Sequence, residues 1–394
     1  MSRKINLYYF GDTGIYDKYS PAYVCNKKFV PEILYKIAYN PPYSICKNKI
    51  IEELKLREKE FDDIIKSLEL ISAVDVKNDR YKLNFTVFLE KDIPVLEDSF
   101  LKTGKEIGNI IINNSREIYK KLQDIKSHDK FAIERLLYHI ICDKIFDGEA
   151  FDYFSERNLF SPYKKQVGDR CYLIFGYEDS GILESFSNKI LCSSNNYRTK
   201  SFVFNSFGDL DGQRRDMFRF FRMAQNSMEN ISDFKNLNLS YLNIIDDKNR
   251  EIAEGCGELI LKCINKDISY DKLSDQEKEF ADFLIELGYL VNNNKLFCPV
   301  PVFESSDDTV IEEISNLILN SIFETVKKIF NDFEKNASDL TSIRHGVDMK
   351  ETAIELWHQV FGRTNETLSE IGFVEKPVYK ENQGRFLQSI TVLK

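Results

Sequence analysis

At 394 residues, with 43% apolar and 30% charged side chains, the chain has room for two or three domains that each bury a core, and its composition excludes collagen-like and low-complexity classes. The net charge of −9 and pI of about 5.3 weigh against an electrostatic grip on nucleic acid by the whole protein, which needs Lys and Arg clustered over phosphates, but they leave room for a local basic face. Apolar runs such as IGNIIINN near residue 110 are too short to span a bilayer, so no membrane is expected.

The opening segment SRKINLYYFGDTG lacks an apolar stretch of signal-peptide length, and the eight cysteines are scattered without a Cys-x-x-Cys pair; both point to the cytoplasm. Residues 1–29 read as an N-terminal strand and loop, with FGDTG at 10–14 as a turn and not a phosphate cradle. From residue 30, VPEILYKIAYNPPYSICKNKIIEELKLREKEFDDIIKSLELISAVDVKNDRYKLNF reads as three helices and a hairpin. Pro41 and Pro42 separate the first helix from the second, because neither donates a backbone hydrogen bond. Ser44 suits the N-cap of the second helix, whose apolar positions Ile50, Ile51 and Leu54 recur at helical spacing. The third helix carries Phe61, Ile64, Ile65 and Leu68, and a polar turn at Lys77, Asn78 and Asp79 divides two β-like runs behind it.

The skeleton of FDDIIKSLELIS at 61–72 returns in FADFLIELGYLV at 280–291, again followed by two β-like runs ending in Val-Phe. The offset is 303 − 88 = 215, taken from Phe88 and Phe303, and it persists: VLED at 95–98 meets VIEE at 310–313, and Ile141, Ile145 and Phe146 meet Leu356, Val360 and Phe361. SERNLFSP from 155 matches SEIGFVEKP from 369 after a one-residue shift, and each copy closes on a β-like run, RCYLIF from 170 and RFLQSITVL from 385. The predicted fold is therefore α+β and mainly helical: a tandem duplication with copy 1 at 30–177, copy 2 at 248–394 and a small α/β insert at 178–247. Such a chain would be a covalent pseudo-dimer.

The stretch YSICKNKIIEELKLREKEFDDIIKSLELISAV with the wing KNDRYKL resembles the winged helix-turn-helix superfamily, over about fifty residues per copy. Copy 2 departs from the pattern: DISYDKLSDQEKEF leaves a short second helix, and Pro299 and Pro301 interrupt the last strand. The resemblance implies either double-stranded DNA binding through the third helix or a protein-docking role. In copy 2 that helix turns Glu277, Glu279, Asp282 and Glu286 outward with Lys278 as the nearby cation, which phosphates would repel; a protein partner or self-association suits it better. In copy 1, Arg57, Lys59 and Lys66 offset Glu58, Glu60, Asp62 and Asp63, with Lys47, Lys49 and Lys55 on the second helix and Lys77, Arg80 and Lys82 in the wing. These nine cations are either a solvated surface of mixed charge or a phosphate-contacting face.

The intervening stretch holds GDLDGQRRDMFRFFRMAQNSMEN at 208–230, where Asp209 or Asp211 would cap a helix starting near Gly212. Arg215, Arg219 and Arg222 would share one face of it beside Arg214, either clamping phosphate or pairing with carboxylates. Phosphate-loop, dinucleotide and nucleophile-elbow motifs are all absent, and His128, His139, His345 and His358 make no metal-ligand spacing. No enzymatic activity, catalytic residue, metal or cofactor is expected. The sequence thus reads as a cytoplasmic winged-helix regulatory protein with copy 1 facing DNA, or alternatively as a winged-helix interaction scaffold that leaves DNA alone.

Overall fold

The computed structural model describes residues 3–14, 16–161, 164–221, 239–336 and 339–393. The fold is α+β and mainly helical, and it divides into two compact units that do not follow the linear order of the chain. The first unit comprises Met1–Asn109, Gly148–Ile190 and Ser321–Thr364, and the second comprises Ile110–Asp147, Leu191–Asn320 and Asn365–Lys394.

In the first unit, β1 (Ile5–Asp12) opens the chain and α1 (Pro21–Cys25) precedes α2 (Val30–Tyr39). Pro31 suits the first turn of α2, where its missing N–H has no helical partner to lose, and Asn40 followed by two prolines ends the helix. Its inward side buries Ile33, Leu34, Ile37 and Ala38. Next come α3 (Lys47–Leu54) and α4 (Glu58–Leu70), the latter burying Phe61, Ile64, Ile65 and Leu68 as the apolar spacing predicts. Each such side chain contributes about 1.5–3 kcal/mol by leaving water. The expected cap at Ser44 is not used, since α3 starts three residues later and the Ser44 hydroxyl donates to Pro41 O at 2.6 Å.

The hairpin of β2 (Val74–Lys77) and β3 (Arg80–Leu83) turns on Asn78 and Asp79, both at positive φ (50° and 54°), as the tightest hairpin turns require. The stretch between α2 and α3 lies along the hairpin: Tyr43 N–H donates to Tyr81 O at 2.8 Å, Lys47 N–H donates to Asp79 O at 3.1 Å, and Cys46 bridges to Arg80. Behind it, β4 (Thr86–Phe88) pairs in parallel with the buried β6 (Arg170–Glu178), on the edge that also takes the short antiparallel β5 (Lys165–Gln166), and the other edge of β6 takes β1 antiparallel. Along the chain, α5 (Ile93–Asn113) follows the hairpin; α6 (Ser115–Leu122), α7 (Ile133–Leu137) and most of a π-helical stretch over Tyr138–Glu149 belong to the second unit, and α8 (Ala150–Glu156) returns to the first.

In the second unit, β7 (Ser193–Arg198), β8 (Phe202–Gly208) and α9 (Leu239–Asn265) lead to a single 3-10 turn at Tyr270–Lys272, α10 (Asp275–Leu287) and the hairpin β9 (Val291–Asn293) and β10 (Lys295–Phe297). Ile268 bridges to Leu296 there as Cys46 does to Arg80 in the first unit. Along the chain then come β11 (Val302–Phe303) and α11 (Asp308–Asn336), which passes into the first unit at Ser321, then α12 (Thr341–Arg344) and the start of α13 (Met349–Glu370) in the first unit, and, from Asn365, the end of α13, β12 (Tyr379–Lys380) and β13 (Gly384–Val392) in the second. β13 is flanked by β11 in parallel and β8 antiparallel.

The two sheets pair in corresponding registers. Val87 opposes Gly176 and Val302 opposes Ile390, so the partners are displaced by 302 − 87 = 215 and 390 − 176 = 214. Leu7 also opposes Gly176 and Phe204 opposes Ile390, a displacement of 204 − 7 = 197. Phe-Gly-Asp stands at 10–12 in β1 and at 207–209 at the end of β8, the strands that pair antiparallel with β6 and β13. A Cβ on Gly11 would lie 2.4 Å from Cys171 O, and one on Gly208 would lie 1.9 Å from Arg385 O, so neighbouring backbone excludes a side chain at both. The expected turn at 10–14 is thus the end of a strand. The stretch 178–247 is not a separate insert either, since β7 and β8 hydrogen-bond into the sheet that holds β11 and β13.

Both units use the same tie behind the hairpin. Asp92 accepts from Leu89 N–H at 2.7 Å and from the Thr341 N–H and hydroxyl, each at 3.1 Å, in the first unit. Asp307 accepts from Glu304 N–H and Lys126 N–H, each at 2.9 Å, in the second. The displacements agree, 307 − 92 = 341 − 126 = 215, so each tie joins one half of the sequence to the other. No described helix is long and apolar enough to cross a membrane.

Candidate functional site

The nine cations singled out in the first half all fall on or beside α3, α4 and the first hairpin, but they are not equivalent. Lys47 is largely covered and pairs with Asp62 at 2.7 Å and Glu58 at 2.8 Å; these two partners raise its pKa and occupy its charge. Arg80 donates to Ser44 O at 2.8 Å, Lys77 rests 4.7 Å above the Tyr43 ring, and Lys82 is half-buried opposite Asp75. Lys55 closes α3 at a left-handed φ of 53°. Lys49 lines a separate depression with Arg3, Lys36 and Glu53, and Lys66 stands exposed on α4.

Arg57 and Lys59 are brought together with two residues that the sequence reading left out, Lys27 and Lys28. The four line an open depression of about 480 Å³, with Glu60, Asp63 and Ile64 completing its walls. Lys27 Nζ donates to Ser67 Oγ at 2.8 Å, and Lys28 lies over the Phe29 ring at 4.5 Å. Arg57 has a side chain 89% exposed and approaches Glu60 only at 3.7 Å, so its guanidinium remains available. It also occupies the N-cap of α4 and supplies no side-chain cap, so the first-turn N–H groups of that helix meet no capping side chain. Four cations against two carboxylates at a helix start make this an anion-attracting concavity. The available signal was the basic pair immediately before Phe29-Val30-Pro31, where Pro31 marks a helix start.

On α10 the acidic row is mostly spent on internal partners. Glu277 pairs with Lys262 at 2.5 Å and closes a capping box with Ser274; the lysine first, and the Ser274 N–H next, hold its carboxyl at about 2. Asp282 accepts from the Tyr270 hydroxyl at 2.8 Å, Glu286 pairs with Arg215, and Glu279 is exposed.

The arginine row of the middle stretch is dispersed. The helix there covers 217–221 and starts after Asp216, whose carboxylate accepts from Arg219 N–H at 2.8 Å; Asp216 is the cap, in place of Asp209 or Asp211. Arg214 precedes the helix, is buried, and donates to Ser206 O at 3.0 Å and to Asp209 O. Asp209 itself receives Arg385 Nε at 2.9 Å. Arg215 is the partner of Glu286, Arg219 is half-buried, and Arg222 lies outside the described residues. For Arg214 and Arg215 the observed role is internal pairing.

Among the described residues no three His, Cys, Asp or Glu side chains converge as metal ligands would. His358 packs against the Phe10, Phe151 and Phe361 rings and donates through Nδ1 to Ile354 O at 2.9 Å. His345 is wholly buried: Nδ1 accepts from Leu83 N–H at 3.2 Å, and Nε2–H donates to Asn40 O at 3.1 Å and Ala38 O at 3.3 Å. Burial first, and the cations Arg344 and Lys82 further, push its pKa down to about 4. No protein-family model matches the chain, and neither the curated proteins nor the solved structures hold a match to it.

Proposed function

We propose that the chain is a tandem duplication of a winged-helix-containing unit, and that it acts as a cytoplasmic regulatory protein whose first module binds duplex DNA. The module order supports the first part: helix, extended bridge to the wing, helix, helix, hairpin in α2 to β3, and the same order with a single 3-10 turn in place of the middle helix from α9 to β10. The shared registers and the shared Asp92 and Asp307 ties add to it.

One observation carries DNA binding. Lys27, Lys28, Arg57 and Lys59 surround the open N-terminus of α4, the helix that enters the major groove in winged-helix proteins. These cations would clamp a phosphate at the groove edge while Lys66 further along α4 and Lys77 in the wing meet the flanking backbone. Lys47 drops out of the contact set because two carboxylates already hold it.

Fluorescence anisotropy with random-sequence duplex between 50 and 200 mM salt tests this. About four phosphate contacts give a log–log salt slope near −3.6. The triple variant K28E/R57E/K59E should abolish binding, while Lys47→Gln should leave the slope unchanged. Absence of binding at 50 mM salt removes the DNA reading. It would leave the interaction scaffold, which the intramolecular pairing of Lys47 and the Glu and Asp positions of α10 favour, with α10 meeting a protein partner or a second copy.

A further inference from the structure

The second unit contains a cavity beside its hairpin. It holds about 400 Å³ between the turn that carries Lys126, Ser127, Lys130 and Phe131, the last turns of α9 (Leu261, Ile264), and the hairpin exit at Phe297, Cys298 and Val302. The corresponding place in the first unit is filled by the His345 imidazole, which reaches from Leu83 N–H to the end of α2 at Ala38 and Asn40. The substitution that opens it is identifiable: 345 − 130 = 215 puts Lys130 where the plug stands, and its side chain is exposed instead of inserted.

The neighbouring serine differs in the same sense. In the first unit Ser342 Oγ accepts from Val87 N–H at 2.8 Å and donates to Val87 O at 2.7 Å, stitching the turn to β4. Ser127 and Val302 are the counterparts, by 342 − 127 = 302 − 87 = 215, and both line the cavity. Yet the Ser127 hydroxyl, on a residue 7% exposed, has no hydrogen-bond partner. A buried hydroxyl without a partner costs about 1–3 kcal/mol and is retained where something else satisfies it.

The lining states the chemistry of that occupant. Leu261, Ile264, Phe297 and Val302 supply apolar wall. Of the charges at the mouth, Lys126 is paired with Glu304, which leaves the Lys130 ammonium as the surplus. We propose that this cavity is a binding site for a small amphipathic carboxylate. Its chain lies on the aliphatic wall, its carboxylate pairs with Lys130, and the Ser127 hydroxyl turns to donate to it. The volume lies within the range of small-molecule sites.

The test uses the full chain and octanoate, with 1-octanol as the uncharged control, by isothermal titration calorimetry. Octanoate should bind at least tenfold more tightly than 1-octanol. Lys130→Gln should remove that preference while keeping 1-octanol binding. Lys130→His, which restores the plug of the first unit, should weaken both ligands at least tenfold, and Leu261→Trp should do the same by filling the wall from the opposite side; circular dichroism verifies that each variant is folded. Equal affinity for octanoate and 1-octanol, no octanoate binding at 10 mM, or binding indifferent to both filling variants would each overturn the assignment.

Discussion

Replacing His345 with Leu tests the plug of the first unit through its pH dependence. The substitution keeps an apolar volume in a fully buried place but removes the acceptor for Leu83 N–H and the donor to Asn40 O. An orphaned buried N–H costs about 1–3 kcal/mol, and the lost second bond about 1 kcal/mol more, so the variant should be about 2–4 kcal/mol less stable at pH 8. The wild type carries a further term: its imidazole titrates at about 4 when folded, against 6.5 for an unperturbed histidine. Between those values the unfolded chain binds the extra proton, so wild-type stability is intact above pH 6.5 and falls by about 3 kcal/mol as the pH drops to 4. The His345→Leu variant has no such titration. Urea unfolding at pH 8, 6, 5 and 4 should therefore show a gap between the two proteins that closes with acidity. A gap of constant size would refute both the neutral, Nε2-protonated state of His345 and its role as a plug.

Three further substitutions address other buried positions. His139 is fully buried with no well-formed hydrogen bond at either ring nitrogen beyond a weak contact with the Gln388 backbone, while 354 − 139 = 215 places Ile354 at the corresponding site; His139→Ile should stabilise the protein by about 1–2 kcal/mol in urea unfolding at pH 8. Burial first, and the Asp147 charge second, push the Asp143 carboxyl up to about 7, so folding binds a proton that the unfolded chain releases near 4 and stability falls as pH rises between them. Asp143→Asn should then be more stable than wild type at pH 8, by up to about 4 kcal/mol, and equal to it near pH 4, as read by thermal melts across that range. Gly208→Ala would drive a Cβ to within 1.9 Å of Arg385 O and 2.7 Å of Phe386 Cα, both backbone, and should cost more than about 3 kcal/mol or abolish folding, read by circular dichroism.

The elements that sequence reasoning placed well are those whose order and spacing carry their own physics. Phe61, Ile64, Ile65 and Leu68 repeat at helical spacing and line the core side of α4. Asn78 and Asp79 tolerate positive φ and sit at the hairpin tip. Other features depend on residues far apart in the chain. The strand β8 reads locally as a β-like run, but its correspondence to β1 is hidden because the displacement is 197 and not 215, although Phe207-Gly208-Asp209 matches Phe10-Gly11-Asp12. The arginine row read as one helix face because nothing local shows that Asp216 outcompetes Asp209 as the cap; Asp209 is drawn instead to Arg385, 176 residues away. For the candidate site, Arg57 and Lys59 were legible as exposed cations on a helix start, while Lys27 and Lys28 join them only through the packing of α1 against α4 and the Lys27–Ser67 hydrogen bond.

The difference between the two hairpin modules follows from how they are held. Each unit takes its hairpin and central strand from one half of the sequence and the turn behind them from the other, as the Asp92–Thr341 and Asp307–Lys126 bonds record. That turn supplies both Ser342 and His345 to the first unit, but Ser127 and Lys130 to the second. The aspartate tie, which fixes the turn against the backbone, is kept in both, so the position four residues farther along can change without releasing it. Filling that position with a neutral imidazole makes a closed hairpin module, in which Leu83 N–H and the end of α2 are satisfied from within the chain. Filling it with an outward lysine leaves an apolar wall, an unpartnered hydroxyl and a surplus positive charge. The same cradle therefore serves as a structural joint in the module proposed to face DNA and as a receptor in the other, and one residue at each site decides which.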